Sequence, residues 1–450
     1  MIKHIEGFPV TDKAPKKRIL AIVYLPTHWK ALFPALMGLR DHKNLQINVV
    51  WGGDYSGVDK HMDEARNYGL LHSEKIIPTF KISRSLILNL LKIIIFKSQI
   101  KKCLSRHKPH VLVFPEENVS YGSQIVVKVA EGMGVRSVIL PFTISSATEP
   151  VAKLKSQRRL QVVGCWKEYL ARTYPSWVYS HKEIYIFRLP WQHFVPLEWL
   201  KLSTKDPWNS NIGLAWKIAV ESEAMKKFYL RTGIHENKLE ICGSVSDDLM
   251  YAQQQPACRA ATFSELGLDD TKPYILCGFP PNQFSGKDKN VRFKELCHFM
   301  VGKLVKATGY SVVINPHPRL SPEERGYLMR PEVVCTDLPL TKLLPNCHFY
   351  VASASATIRW AIACAKPVLN YDIYGYHYDD FSDVAGVVTV DSEKAFEQML
   401  VRMREDSVFF SNLQTLQQAV SMEWGCLDGK SAERLISLFK SRSSDSDRAL

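Results

Sequence analysis

Short runs of consecutive apolar residues alternate along the chain with longer stretches of helical spacing. Arg18–Leu25 (RILAIVYL), Leu45–Trp51 (LQINVVW), Val111–Phe114 and Ser137–Leu140 are apolar without alternation, the pattern of strands buried on both faces. Between them His28–Leu39, Leu86–Leu104 and Ser123–Gly132 carry apolar residues at helical spacing. The region from about 154 to 219 has no regular period and is rich in aromatic residues. Glu221–Thr232 reads as a helix and Leu239–Cys242 as a strand. The alternation then restarts. Strands are expected at Tyr274–Cys277, Ser311–Asn315, Glu332–Cys335, His348–Ala352 and Pro367–Asn370. Helices are expected at Phe293–Thr308, Leu340–Leu344, Ala356–Ala365, Ala395–Glu405 and Ser431–Lys440. Strand–helix–strand units of this length imply parallel sheets with helices on both faces. The pattern predicts an α/β chain in two halves joined near 215–240, with a cleft between them. Its expected divisions are a leader over 1–17, a first domain over 18–220 with an insertion at 151–208, a second domain over 221–440 and a disordered tail over 441–450.

Composition narrows the class. At 450 residues, 46% hydrophobic and 23% charged, the chain can build globular cores and is not a disordered polymer. Its ten Cys form no C-x-x-C pair, which argues against a zinc ribbon and reads as packed, reduced thiols. The start lacks the apolar segment of a secretory signal. The longest apolar stretch, Leu86–Phe96, is too short to span a bilayer and contains Lys92. A cytoplasmic protein is expected.

The net charge of +13 is unevenly placed. From Lys75 to Pro115 there are nine Lys/Arg and no Asp or Glu; from Val151 to Lys205 there are ten against three. The second segment also holds or adjoins Trp166, Trp177, Trp191, Trp199 and Trp208. Basic residues among aromatics suit an anionic membrane face, reached through 75–115 and 151–208, or a polyanionic sugar acceptor. A plain solvated basic face gives the same composition. No nucleic-acid-binding signature is present, so nucleic acid is not an expected partner.

Several expected strand ends carry chemistry. Val351–Thr357 runs from a strand through small hydroxyl residues into a helix, and Ser353, Ser355 and Thr357 suit a phosphate. Simple N-capping is the alternative reading. In Ile314–Arg319 two prolines hold His317 rigidly and Arg319 adds a cation. A fixed His can donate a hydrogen bond or proton to a phosphate leaving group, or it can be a structural residue in a Pro turn. In Phe114–Gly122 the adjacent Glu116 and Glu117 offer a general base, or a solvated pair, with Asn118 and Tyr121 beside them. Weaker candidates are Ser244, Gly278 and Asn282 toward a nucleotide, and His28 on the acceptor side. No P-loop or G-x-G-x-x-G motif appears, nor any metal cluster beyond a doubtful Asp379-Asp380.

These features together resemble the GT-B glycosyltransferases, and more narrowly the bacterial capsule and surface-polysaccharide transferases that use CMP-sugars. Glu116-Glu117-Asn118 resembles their D/E-D/E-G motif, with Asn in place of Gly. His317-Pro318 matches their H-P motif, and Ser353-Ala354-Ser355 is similar to their Ser/Thr motif. The segments at 243–249 and 353–372 also resemble CDP-glycerol glycerophosphotransferases and UDP-GlcNAc 2-epimerases. The resemblance implies a GT-B-like fold of two Rossmann-like domains facing across a cleft, and a metal-independent, inverting sugar transfer. It implies no cofactor beyond a nucleotide-sugar co-substrate, CMP-linked for preference, and a glycan or lipid-linked acceptor at the inner face of the cytoplasmic membrane. Glu116 or Glu117 would be the base, and His317 would act on the leaving phosphate. A ribose-reading Glu, expected near 358–361 in UDP-sugar relatives, is replaced here by Arg359-Trp360. The alternatives are a glycerophosphotransferase, a UDP-sugar 2-epimerase and a non-catalytic glycan-binding subunit.

Overall fold

The computed structural model describes residues 16–40, 42, 44–52, 57–75, 83–141, 151, 154–181, 183–211, 213–306, 310–353, 355–377 and 380–441. The leader before residue 16, the tail beyond 441, Ala354 and Asp379 lie outside the described residues. The chain divides into two compact units. One comprises Met1–Ala219, Thr232–Leu239 and Ile436–Leu450; the other comprises Val220–Arg231 and Glu240–Leu435.

The first unit begins with β1 (Lys17–Val23), α1 (Pro26–Arg40), β2 (Leu45–Trp51), α2 (Val58–Asn67) and β3 (Leu71–Lys75). It continues with α3 (Leu86–His107), β4 (Val111–Phe114), α4 (Ser123–Glu131) and β5 (Arg136–Ile139). Next come α5 (Cys165–Thr173), β6 (Val178–His181), β7 (Ile184–Phe187), α6 (Trp191–Trp199) and β8 (Lys217–Val220). After α7 (Glu223–Arg231), β9 (Leu239–Ile241) closes a seven-stranded sheet of order β3-β2-β1-β4-β5-β8-β9. The pairings from β3 through to β8 are parallel. The unbroken apolar runs explain the central position of β1 and β4, whose side chains from Ile19 to Val23 and from Val111 to Phe114 are buried.

The second unit holds α8 (Val245–Gln253), α9 (Pro256–Leu266), β10 (Tyr274–Phe279), α10 (Lys289–Val305), β11 (Ser311–Pro316), α11 (Pro322–Gly326) and β12 (Val333–Cys335). It continues through α12 (Leu340–Leu343), β13 (Tyr350–Ala352), α13 (Ile358–Ala363), β14 (Val368–Tyr371), β15 (Val387–Val390), α14 (Glu393–Glu405) and α15 (Ser407–Trp424). Its parallel sheet has the order β12-β11-β10-β13-β14-β15. A last helix, α16 (Ser431–Lys440), ends in the first unit, where Arg136 Nη1 donates to the Ser441 carbonyl at 2.6 Å.

Both sheets are doubly wound. In the first, the chain steps outward from β1 to β3 and then restarts on the other side at β4, so the order reverses between β1 and β4. In the second it reverses between β10 and β13. Open α/β sheets bind ligands at the carboxyl ends of the strands at such a reversal. Two Rossmann-like parallel-sheet units of this kind constitute the GT-B class of fold.

The middle region departs from the sequence reading. It is not irregular: α5, the antiparallel β6–β7 hairpin and α6 order it. Trp177 is fully buried, stacks on Phe194 at 5.1 Å and donates through Nε1 to Glu198 at 2.5 Å. Part of the aromatic content is therefore local core, while Trp166 and Trp199 stay exposed. All ten cysteines are free thiols. Among the described residues no helix is long and apolar enough to cross a membrane.

Candidate functional site

In the first unit the loops leaving β1 and β4 meet at the order reversal. His28 sits in the first turn of α1 and is buried, and its Nε2 lies 3.1 Å from Glu116 Oε1. The Tyr24 backbone N–H points at His28 Nδ1 from 3.4 Å. A neutral ring that accepts at Nδ1 carries its proton on Nε2 and donates it to the carboxylate. The Tyr121 ring packs edge-on against the imidazole at 5.6 Å. Glu116 is thus oriented by a buried histidine while its side chain keeps 11% exposure.

The neighbouring carboxylate is placed differently. Glu117 is buried, and a Cβ on Gly213 would stand 1.6 Å from its Oε1. Its Oε2 is buried with no hydrogen-bond partner. Burial pushes its carboxyl up to about 7, against the pull of Lys238 and Lys128 and a hydrogen bond from the Ala215 backbone. The Asn211 side chain accepts from the Glu117 backbone N–H at 2.8 Å, which fixes the turn. Asn118 is occupied within the same turn. Its Oδ1 accepts from Ser120 N at 2.9 Å and its Nδ2 donates to Ser210 at 3.3 Å. The two adjacent glutamates therefore part company, one at the strand tip and one beneath it.

In the second unit the ends of β11, β10 and β13 lie side by side. The His317 backbone N–H donates to the Phe279 carbonyl at 3.0 Å, which ties the His-Pro loop to the end of β10. Its Nδ1 accepts from the Arg319 backbone at 3.1 Å, so Nε2 carries the proton of the neutral ring. Arg319 itself is exposed. Across the reversal, the Tyr350 hydroxyl lies 2.7 Å from Thr357 Oγ1, and Ser355 Oγ lies 2.8 Å from the same atom. Gly278 makes room for that tyrosine: a Cβ there would stand 2.1 Å from its hydroxyl oxygen. Ser353 is buried and its Oγ has no partner. His317, Gly278, Ser353, Ser355 and Thr357 thus gather on three adjacent strand ends.

Ser244 and Asn282 have structural occupations. Ser244 is the N-cap of α8 in a capping box with Asp247. Asn282 Nδ2 donates to Glu324 at 2.9 Å, and its Oδ1 accepts from Phe284 N at 3.2 Å. The loop after β10 is also fastened to the one after β14, since the Tyr374 hydroxyl donates to the Pro281 carbonyl at 2.6 Å.

Arg359 faces inward. It is buried on α13, with Nη2 3.1 Å from Asp247 Oδ1 and Nη1 3.0 Å from the Trp424 carbonyl. Glu221 belongs to the same charged cluster. Burial raises its carboxyl and Arg359 opposes the shift. The position where UDP-sugar relatives are expected to read ribose is given over to a core ion pair.

Sequence reasoning missed Tyr350, Asn211, Gly213 and the Tyr24 backbone contact. Asn211 and Gly213 lie more than ninety residues from Glu117 in the chain and bear no local motif. Among the described residues no group of three or more His, Cys, Asp or Glu could hold a metal ion.

No family model matches the sequence, and no curated protein matches it. Solved structures are similar over nearly the whole chain. UDP-GlcNAc 2-epimerase from Neisseria meningitidis, bound to UDP-GlcNAc, is 13% identical with a TM-score of 0.56, over 94% of this chain and 100% of that one. The S. aureus MnaA–UDP co-structure is 12% identical with a TM-score of 0.54, over 95% and 99%. The glycotransferase of kitacinnamycin is 12% identical with a TM-score of 0.54, over 94% and 99%. The likeness is one of fold, shared with an epimerase and a glycosyltransferase alike, and the chain has the GT-B architecture of two Rossmann-like units.

Proposed function

We propose that this chain is an inverting glycosyltransferase that moves a sugar from a nucleotide-activated donor to a surface-polysaccharide or lipid-linked glycan. The observation that carries the reading is the His28–Glu116 hydrogen bond at the order reversal of the first sheet. A strand-end carboxylate oriented by a buried imidazole suits a general base. Glu116 takes the proton of the acceptor hydroxyl, and His28 positions it. Glu117, buried and held high, contributes to the fold of the turn and not to the proton transfer.

The donor belongs to the second unit. Ser353, Ser355 and Thr357 offer hydroxyls to its phosphate, and His317 Nε2 donates to the phosphate oxygen that departs. The acceptor oxygen forms a bond to the anomeric carbon as the bond from that carbon to the phosphate oxygen breaks. The electron pair leaves with the nucleotide, where a donor at that oxygen stabilises the developing charge. A CMP-linked sugar is the preferred donor on the resemblance of Glu116-Glu117-Asn118, His317-Pro318 and Ser353-Ala354-Ser355 to the motifs of CMP-sugar transferases.

The shared fold with UDP-GlcNAc 2-epimerases favours the second reading, epimerisation. Incubation with CMP- and UDP-sugars, an extract containing glycan acceptors, and proton NMR of the products separates the two. Transfer consumes the donor and releases free nucleotide. Epimerisation returns an intact nucleotide-sugar with inverted C2. Glu116→Gln is expected to lower nucleotide release by about 10²–10⁴-fold, the range of a general base. Unchanged release in that variant contradicts the assignment.

A further inference from the structure

Helix α3 is apolar on two opposite faces. Asn89, Ile93, Phe96, Ile100, Cys103 and Leu104 face the unit's interior. Ile87, Leu88, Leu91, Ile94 and Ile95 are 66%, 51%, 49%, 45% and 56% exposed. At the pitch of an α-helix these five fall in an arc of roughly 120°, centred opposite the buried set. A helix that is apolar all round is ordinarily buried all round; this one is covered on one side only. Along the same outward side the sequence then changes character. Lys101, Lys102 and Arg106 are exposed on the following turns, and Lys92 flanks the apolar stripe. The helix carries no acidic residue.

A second exposed cluster lies beside its start. Asn89 Nδ2 donates to the Gln192 carbonyl at 2.9 Å, at the first turn of α6. The neighbouring Trp191 ring meets Trp166 at 6.0 Å, and Trp166 stacks on Tyr169 at 5.7 Å. Trp166 and Tyr169 are 55% and 59% exposed, with Lys167, Glu168 and Arg172 on the same short helix. Aliphatic side chains beside an aromatic shelf, with a basic and acid-free continuation, match an anionic bilayer. Apolar residues enter the acyl boundary, aromatics sit at the headgroup level and lysines meet the lipid phosphates.

We infer that the outward face of α3 is a membrane-docking surface that inserts Ile87, Leu88, Leu91, Ile94 and Ile95 into the interface of an anionic phospholipid bilayer. The charge names the occupant. A second copy of this chain would set Lys101, Lys102 and Arg106 against a surface of the same sign, whereas phosphatidylglycerol would neutralise them. The inference is independent of which sugar the chain transfers.

The test is co-sedimentation of the full chain with vesicles of phosphatidylcholine alone and of phosphatidylcholine with phosphatidylglycerol. Binding to the anionic vesicles is expected to be at least about tenfold stronger and to weaken in high salt. The double variant Leu91→Asp/Ile95→Asp should lose at least about tenfold of that binding. Lys101→Glu/Lys102→Glu should lose the preference for anionic vesicles while keeping any residual binding to neutral ones. The altered side chains are exposed, so far-UV circular dichroism and the melting temperature report that each variant folds. No vesicle binding, equal binding to both compositions, or wild-type binding by the Asp variant overturns the inference. Sedimentation of the vesicle-free chain as a dimer that Leu91→Asp/Ile95→Asp dissociates would also overturn it and assign the face to a second copy.

Discussion

Replacing Glu117 by Gln should make this protein's stability less dependent on pH, by an amount that follows from the burial of one carboxyl. In the folded chain Glu117 keeps its proton up to about 7, against an ordinary value of 4.5. The folded state therefore binds more protons than the unfolded state between those limits, and stability falls as pH rises through them. Below 4.5 both states are protonated and the carboxyl is neutral to stability. Above 7 both are ionised, and the folded state bears the full cost of about 3 kcal/mol. Glutamine has nearly the same shape and never ionises. It keeps an oxygen for the Ala215 N–H, and its amide takes the place of an oxygen that already lacks a partner. Urea unfolding of wild type and variant at pH 5 and pH 8 measures the difference. The variant should gain about 2 kcal/mol more at pH 8 than at pH 5. An equal effect at the two pH values would mean that Glu117 titrates as a solvated carboxyl. The physical division between it and Glu116 would then fail.

Other consequences follow from single contacts. Gly278→Ala drives a methyl into the Tyr350 hydroxyl and breaks its bond to Thr357. It should cost about 1–3 kcal/mol in urea unfolding and weaken nucleotide binding. Asp247→Ala strands the buried Arg359 and should cost about 3 kcal/mol or more by the same measurement. His28→Ala removes the group that orients Glu116. It should lower kcat of nucleotide release by about tenfold or more and leave nucleotide binding intact, as isothermal titration would show.

The apolar runs announced β1, β2, β4, β10 and β11 because strands buried on both faces need no alternation and leave little ambiguity. The helices at 245–253, 256–266 and 407–424 went unread, as did α2 and β3. The segment from 243 to 249 reads as a strand end with Ser244 toward a nucleotide because Ser and Asp favour loops and N-caps equally, and the capping box of Ser244 with Asp247 shows that the N-cap use prevails. The insertion looked shapeless because its hairpin and short helices are held by aromatic stacking such as Trp177 on Phe194, which has no sequence period. In the candidate site the strand ends were legible as motifs, since Pro, Ser and Gly punctuate the ends of buried strands. What each motif residue touches was not. Glu116 and Glu117 are equivalent on paper. Their separation depends on His28, 88 residues away, and on Gly213. Arg359 likewise reads as a departure from relatives until Asp247 and Glu221 account for it.

Under the proposed function, the strand ends of the second unit hold a nucleotide whose leaving phosphate meets His317. The most direct measurement is thermal stability with CMP, CDP, UDP, GDP and ADP in turn, for wild type and His317→Ala. A ligand at a hundred times its dissociation constant stabilises the folded chain by about 2.7 kcal/mol. Stabilisation led by CMP in the wild type and lost in the variant is expected. No stabilisation by any of the five nucleotides, or equal stabilisation of wild type and variant, would contradict it.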